Sequence, residues 1–427
     1  MNVLRETEQK ILKEGQEYTR QLLESQLQKQ IDEIGAICPK SGLLLKEVSY
    51  RPLVLQSVVG VVRLKAAYGY SSSQGIWLTP ARVAWGMAPH QRVSPELQAR
   101  VVETSAACGS YQKAARIATL WGTPISDDLV HAQVQTVGQR LVENPATQDL
   151  PQLKKTEFSM VLMMDGWMVR ERGGDWGKKR RQPNQIRVRW HEVKSAVIFR
   201  LEDQVATQGG RGWLIQKQIV VREPETDPVV FGQAVQAEAM RRGLARAQKV
   251  YRVMDGAVWL WCLREDRFKD TIALLDFHHA SQHLWALAHH RFGDKTDEQK
   301  AEARAWVEPL LHQLRHGKEK KMVRTLEDLL VTKEGRQKKV KTEVNYFKAH
   351  RDHLHYQAVD EQGGPIGSGA VESLCSQLQD RFKRTGQFWT RAGLRHLLAV
   401  EEALRNLDFD PRCNCIYPQL GDAPDGL

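Results

Sequence analysis

Two apolar runs, Val161-Leu162-Met163-Met164 and residues 250–254, each end in an acid and a glycine, Asp165-Gly166 and Asp255-Gly256. Nothing else in the chain restricts the fold as strongly. Short runs this apolar read as strands inside a sheet. An acid at the end of such a strand emerges at the sheet's edge, where carboxylates from different strands can converge on a divalent cation. Asp-Gly is also an ordinary turn dipeptide, but two of them in one strand-rich basic chain favour a shared site. The first of the two runs extends over 159–164, and further strand-like runs at 195–199, 215–221 and 272–275, with a helix near 230–242, make this block mixed α/β.

The segments around it have their own signatures. Leu4, Ile11, Tyr18, Leu22, Leu23, Leu27, Ile31 and Ile34 recur at helical spacing, which predicts one long amphipathic helix over 1–36. Its steps at 4, 11 and 18 are heptad-like, so it either pairs with a second copy in a homodimer or lies on its own domain. Residues 37–90 read as a small β module of short strands. Ser94, Ser110 and Ser126 then mark three helix starts within 91–150. The turn Leu120-Trp121-Gly122-Thr123-Pro124-Ile125 gives a helix-turn-helix pattern, whose later helix can enter a DNA major groove, although bundles that bind nothing share it. A linker near 144–153 leads into the α/β block of 151–279. A helical stretch follows at 280–362, with a capping box at Thr296-Asp297-Glu298-Gln299. A last helical region occupies 363–407, and 408–427 has no period.

A third acid is placed by the turn Gly367-Ser368-Gly369, after which Val371, Leu374, Leu378 and Phe382 share one helix face and Glu372, Ser376, Gln379 and Lys383 another. That polar stripe suits metal at one end and phosphate at the other. The bland alternative is a first-turn Glu stabilised by the helix dipole.

Charge points to the partner. Lys and Arg number 62 against 51 acids, a net charge of +11, which favours a polyanion, nucleic acid before membrane. From 170 to 194 nine Lys and Arg face three acids, and from 381 to 395 five face none, with Phe388 and Trp389 among them. Lys178, Lys179, Arg180, Arg181, Arg381, Lys383 and Arg384 are therefore the expected phosphate contacts, and Trp389 the ring expected to stack on an unpaired base. No run approaches the roughly 18 apolar residues of a membrane helix, the start lacks signal-peptide order, and six scattered cysteines suggest reduced thiols. The expectation is a cytoplasmic, nucleoid-associated protein.

Read together, Met164-Asp165-Gly166-Trp167, Met254-Asp255-Gly256-Ala257-Val258-Trp259, Asp276-Phe277-His278-His279-Ala280 and Gly367-Ser368-Gly369-Ala370-Val371-Glu372-Ser373, followed by Arg381-Phe382-Lys383-Arg384-Thr385-Gly386-Gln387-Phe388-Trp389, resemble a DDE transposase of bacterial insertion sequences, nearest to the ISKra-like group. The resemblance covers 160–405 and is looser before 150. It implies an RNase H-like catalytic domain with Asp165, Asp255 and Glu372 as acidic triad and a helical insertion between the second and third acids. It also implies two Mg²⁺, with Mn²⁺ able to substitute, and as partners the element's terminal repeats and target DNA. Asp276-x-x-His279 matches an element that shapes the site or contacts DNA. One departure stands out: relatives of this kind carry paired cysteines resembling a zinc ribbon, whereas Cys38-Pro39-Lys40-Ser41-Gly42 keeps one cysteine and Tyr68-Gly69-Tyr70-Ser71-Ser72-Ser73 none. A four-ligand zinc site is not expected, either there or at the His279 and His283 pair. The competing readings are a transposase-derived DNA-binding protein without cleavage and a nuclease that does not join strands.

Overall fold

The structure, a computed structural model, describes residues 3–88, 90–144, 157–180, 185–206, 212–268, 270–331 and 337–407, except the side chains of 206 and 264–266. The chain divides into two compact units, 1–146 with 392–427, and 147–391.

In the first unit, helix α1 (Val3–Ile34) precedes an antiparallel sheet of β1 (Lys46–Ser57), β2 (Gly60–Ser71) and β3 (Ile76–Leu78). The expected short strands are in fact one long hairpin, because Val58-Val59 forms its turn and both arms continue for twelve residues. Leu23, Leu27, Ile31 and Ile34 of α1 pack on Leu53, Leu55, Val62 and Leu64. Along the part of β2 that lacks a second strand, Arg63 N donates to Glu24 at 2.8 Å and Lys65 N to Gln28 at 2.9 Å, so α1 satisfies an otherwise open sheet edge. Leu4, Ile11 and Tyr18 of the same helix are exposed. Cys38 packs with Leu45 and Leu78. After the short α2 (Pro80–Ala84) come α3 (Pro95–Cys108), α4 (Tyr111–Leu120) and α5 (Asp127–Glu143). Each is capped by the expected serine, which accepts the backbone N–H three residues on.

The second unit is built on five strands: β4 (Ser159–Arg172), β5 (Val188–Arg200), β8 (Gln218–Arg222), β9 (Lys249–Met254) and β10 (Ile272–Leu275), in the order β10-β9-β4-β5-β8. A small pair, β6 (Gln204–Ala206) and β7 (Gly212–Leu214), lies outside this sheet. β4 runs antiparallel to β5 and parallel to β9, β10 is parallel to β9, and β8 is antiparallel to β5. One sheet face packs Met160, Leu162, Met164, Ala196 and Ile198 on Phe231 and Val235 of α6 (Pro228–Arg241) and on Leu260 and Leu263 of α7 (Val258–Arg267). Helices α8 (Phe277–Phe292), α9 (Asp297–Arg315), α10 (Glu319–Leu329), α11 (Lys338–Ala349) and the short α12 (Tyr356–Asp360) form the helical stretch, with the capping box of Thr296 and Gln299 closed at α9. Helix α13 (Gly369–Phe382) lies against β4 and β5, with Val371, Leu374, Leu378 and Phe382 buried.

The last helical region contains a break. α13 ends at Phe382, and a segment through Gly386, whose φ is +80°, turns Trp389 onto β4 before α14 (Arg391–Arg405) begins. Trp389 N donates to Arg170 O at 3.0 Å and Arg172 N to Trp389 O at 2.8 Å. From residue 392 the chain belongs to the first unit. There a Cβ on Gly138 of α5 would lie 2.4 Å from His396 O, so only glycine permits that approach of α14. Among the described residues no helix is long and apolar enough to cross a membrane.

Candidate active site

From β4 the chain passes outward through β5 and β8, then crosses back to β9 and β10 on the other side, so the order reverses between β4 and β9. Open α/β sheets bind ligands at such a reversal, beyond the carboxyl ends of the strands. Asp165 and Asp255 occupy that point, since Met164 and Met254 are the last paired residues of β4 and β9. Asp255 follows the end of its strand as expected. Asp165 does not: β4 continues against β5 for seven more residues, with Asp165 opposite Ser195. The apolar run stops at Met164 because the pairing with β9 stops there, and the strand itself goes on.

Asp165 Oδ1 accepts the Gly166 N–H at 2.7 Å. Burial pushes its carboxyl up to about 6, the Asp255 charge adds to the rise, and a hydrogen bond from the Cys375 thiol and the nearby His279 offset part of it. Asp255 Oδ1 accepts from Ala257 N at 2.9 Å, which fixes the turn after β9. Asp276 follows β10, and its N–H reaches back to Met254 O at 2.7 Å, tying the two strand ends together. Its carboxylate is fully buried and accepts the backbone N–H groups of His279 (2.6 Å) and Ser368 (2.5 Å) and the His279 ring at 3.2 Å. Burial pushes Asp276 up, but these donors outweigh it and hold the group below the usual carboxylate range. His279 is raised by its bond to Asp276 against the effect of burial, and the charges of Asp255 and Glu372 reinforce the rise.

Glu372 lies in the first turn of α13. Ser368, instead of capping the helix, donates its hydroxyl to Glu372 Oε1 at 2.7 Å. Asp276, His279 and Glu372 offer ligand atoms that all lie within 4.8 Å of one another. Of the three expected acids only Glu372 belongs to that group; Asp165 and Asp255 connect to it through their charges. Asp255 acts on Asp165, Asp255 and Glu372 both act on His279, and the buried Cys375 thiol, raised by burial, feels Asp165 and Glu372.

The helical stretch also reaches the site, which the sequence did not announce. Tyr346 of α11 packs so closely on Gly256 that a Cβ there would lie 2.4 Å from the phenol oxygen. Burial and the charges of Asp255, Asp276 and Glu343 raise Tyr346 far above its ordinary range, so it remains a neutral phenol. His283 stacks on it at 3.6 Å while its Nδ1 lies 2.6 Å from Glu343.

The expected DNA contacts separate into two groups. Lys179, Arg180 and Arg384 are exposed, Lys178 is exposed but pairs with the buried Asp175 at 3.3 Å, and Lys383 is half-buried beside Gln379. Arg181 lies outside the described residues. Arg381 and Trp389 differ from expectation: both are buried, Arg381 lies over the Phe382 and Trp389 rings, and the Trp389 indole N–H is spent on Phe382 O at 2.8 Å. Trp389 lost its solvent face because the turn at Gly386 folds it onto β4. In the helix-turn-helix, α5 opens with exposed Asp127 and Asp128, an unfavourable start for a phosphate-facing helix.

A family model described as Uncharacterised protein family (UPF0236) matches residues 1–407. None of the curated proteins matches the chain. Among solved structures, a chain of the Drosophila P element transposase strand transfer complex is similar, with 11% identity and a TM-score of 0.39, covering 73% of this chain and 92% of that one.

Proposed function

This chain belongs to the uncharacterised protein family UPF0236, and as its activity we propose metal-dependent DNA transposition of the DDE type, of the ISKra-like kind carried by bacterial insertion sequences. The observation that carries the reading is the position of Asp165 and Asp255, 90 residues apart in sequence, at the reversal of strand order, and it is supported by the charge of Glu372, 117 residues further on, acting with that of Asp255 on His279. The strand order and directions, with only β5 opposed to the other four, support an RNase H-like core.

The donor set fits a hard divalent cation. A half-buried carboxylate pushed up to about 6 beside a second acid is a site short of positive charge, and oxygen donors suit Mg²⁺, with Mn²⁺ as substitute. When bound, two such ions activate the attacking oxygen and stabilise the leaving one in an in-line displacement. Asp165, Asp255 and Glu372 would hold them, Glu372 giving up its bond from Ser368. His279, oriented by Asp276 and inclined toward its protonated form, would face a phosphate oxygen. Water first attacks the phosphodiester at the element's end, leaving a 3′-hydroxyl. That hydroxyl then attacks a target phosphodiester, one P–O bond forming as another breaks. Because α1 carries Leu4, Ile11 and Tyr18 exposed at heptad spacing, two copies would meet there so that both ends of an element are processed together.

The test is incubation of the protein with Mg²⁺ and labelled DNA carrying the element's ends, beside Asp255→Asn. The wild type should cleave and join, and the variant should bind without cutting. Equal cleavage by both would end this reading. Replacing Leu4, Ile11 and Tyr18 with Ser should give a monomer in sedimentation; deleting the helix would not serve, because its second half covers the first hairpin.

A further inference from the structure

Beyond the acid cluster β4 and β5 continue with no further strand of the sheet beside them, and among the described residues only the bridge of Trp389 to Glu171 flanks β4. β9 leaves β4 at Met164 and β8 leaves β5 at Lys194, while the pair runs on to Arg172 and Val188 as a two-stranded arm. On this arm Arg170 and Trp190 are cross-strand neighbours, with the guanidinium 5.7 Å from the indole centroid, and Lys383 Nζ comes within 5.4 Å of the same ring. Arg170 also lies 4.9 Å over Phe388, Phe388 meets Trp176 at 4.6 Å, and Arg172 lies 5.4 Å over Trp176. The cations are braced: Arg170 donates to the carbonyls of Lys383 and Arg384, and Arg172 to Phe388 O.

A ring held this firmly among cations would ordinarily be covered, yet Trp190 is 51% exposed. Its surroundings explain what would cover it. Lys179, Arg180, Arg187, Arg189 and Arg384 are exposed, while of the arm's acids Glu171 and Asp175 are buried and paired with Arg391 and Lys178 and the half-buried Glu192 lies 3.8 Å from Lys194. The patch therefore wants a partner with both negative charge and a flat apolar face. Duplex DNA offers charge but keeps its base faces stacked inside; an unpaired nucleotide offers both.

We propose that the arm seats an unpaired nucleotide of the DNA substrate, its base stacked on Trp190 and an adjacent phosphate held by Lys383. The inference deepens the function proposed above and rests on DNA as the substrate. Trp190 is then the stacking ring that position in the sequence had assigned to Trp389.

The test uses the full chain with a chelator present, so that binding is read without cleavage, on labelled oligothymidylate and on a blunt duplex. Trp190→Ala should weaken oligothymidylate binding about tenfold while changing duplex binding little, and Trp190→Phe should keep most of the affinity. Lys383→Ala should reduce the single-strand salt slope by about 0.7, which Trp190→Ala should leave unchanged. Equal single-strand affinity of wild type and Trp190→Ala, or the same loss on both DNAs, would overturn the proposal. Should Trp190→Ala misfold, the wild type photocrosslinked to 5-iodouracil-substituted oligonucleotide decides: adducts on the Trp190 peptide support it and adducts only elsewhere overturn it. Wild type that binds neither DNA would overturn the transposase reading as well, whereas Asp255→Asn speaks to cleavage alone.

Discussion

The two long strand pairs of this protein, β1 with β2 and β4 with β5, are built from strands of similar length, 12 and 12 residues against 14 and 13, and differ in what covers them. In β2 the buried residues Val62, Leu64 and Ala66 alternate with exposed Arg63 and Lys65, because only one face is covered. In β4 five consecutive residues, Met160 to Met164, are buried, because α6 and α7 cover one face and α13 the other. Alternation marks a hairpin covered on one face. A continuous apolar run marks one with helices on both sides, and a carboxylate set at its end stands where water is scarce and charge is costly. Such a group is retained for use more often than for stability.

The comparison can be broken most decisively at the acids. Asp255→Asn should lower Mg²⁺-dependent DNA cleavage by orders of magnitude, while Arg63→Gln on the first hairpin should leave it unchanged. If Arg63→Gln is equally damaging, the division of labour is wrong. Next come the two cores. Phe382→Ala should cost about 3–5 kcal/mol and Leu64→Ala about 2–5 kcal/mol in urea unfolding, but only the former should reduce cleavage by a correctly folded protein, since it loosens the ring contacts of α13 with Trp167 and Trp389.

A smaller effect has a pH signature. Asp165 titrates at about 6 in the folded chain against an ordinary 3.8, so the fold favours its protonated form. The resulting destabilisation is absent below about pH 4, grows between pH 4 and 6 and is complete above. Asp165→Asn should therefore stabilise the metal-free protein by about 1–3 kcal/mol at pH 8 and have little effect at pH 4. A gain that ignores pH would remove charge burial as its cause. The least effect separates two glycines. A Cβ on Gly69 of β2 would meet the Lys46 carbonyl at 2.8 Å, whereas on Gly166 of β4 it would meet the movable Glu192 carboxylate. Gly69→Ala should cost about 1–3 kcal/mol and Gly166→Ala less than about 1 kcal/mol in the same assay.

Much of this was legible in the sequence where the signal is local. The run at 272–275 is β10, the three serine caps and the Thr296 capping box form as read, and Val371, Leu374, Leu378 and Phe382 are buried together. What was not legible depends on partners far along the chain. Asp165 stands within a strand because β5 outlasts β9 beside it. Trp389 is buried because its own segment folds onto β4, more than 200 residues away in sequence. Tyr346 reaches Asp255 through the packing of the helical stretch, and nothing in its own neighbourhood hints at that.

The glycine contact between α5 and α14 has a consequence for how the chain comes off the ribosome. Gly138 is translated some 250 residues before His396, the residue it touches. At roughly 5–20 residues per second that is a wait of about 10–50 s, during which the whole of 147–391 is made and can fold. The first unit is the earlier one to emerge and the later one to be finished, and until α14 arrives the face of α5 at Gly138 lacks that neighbour.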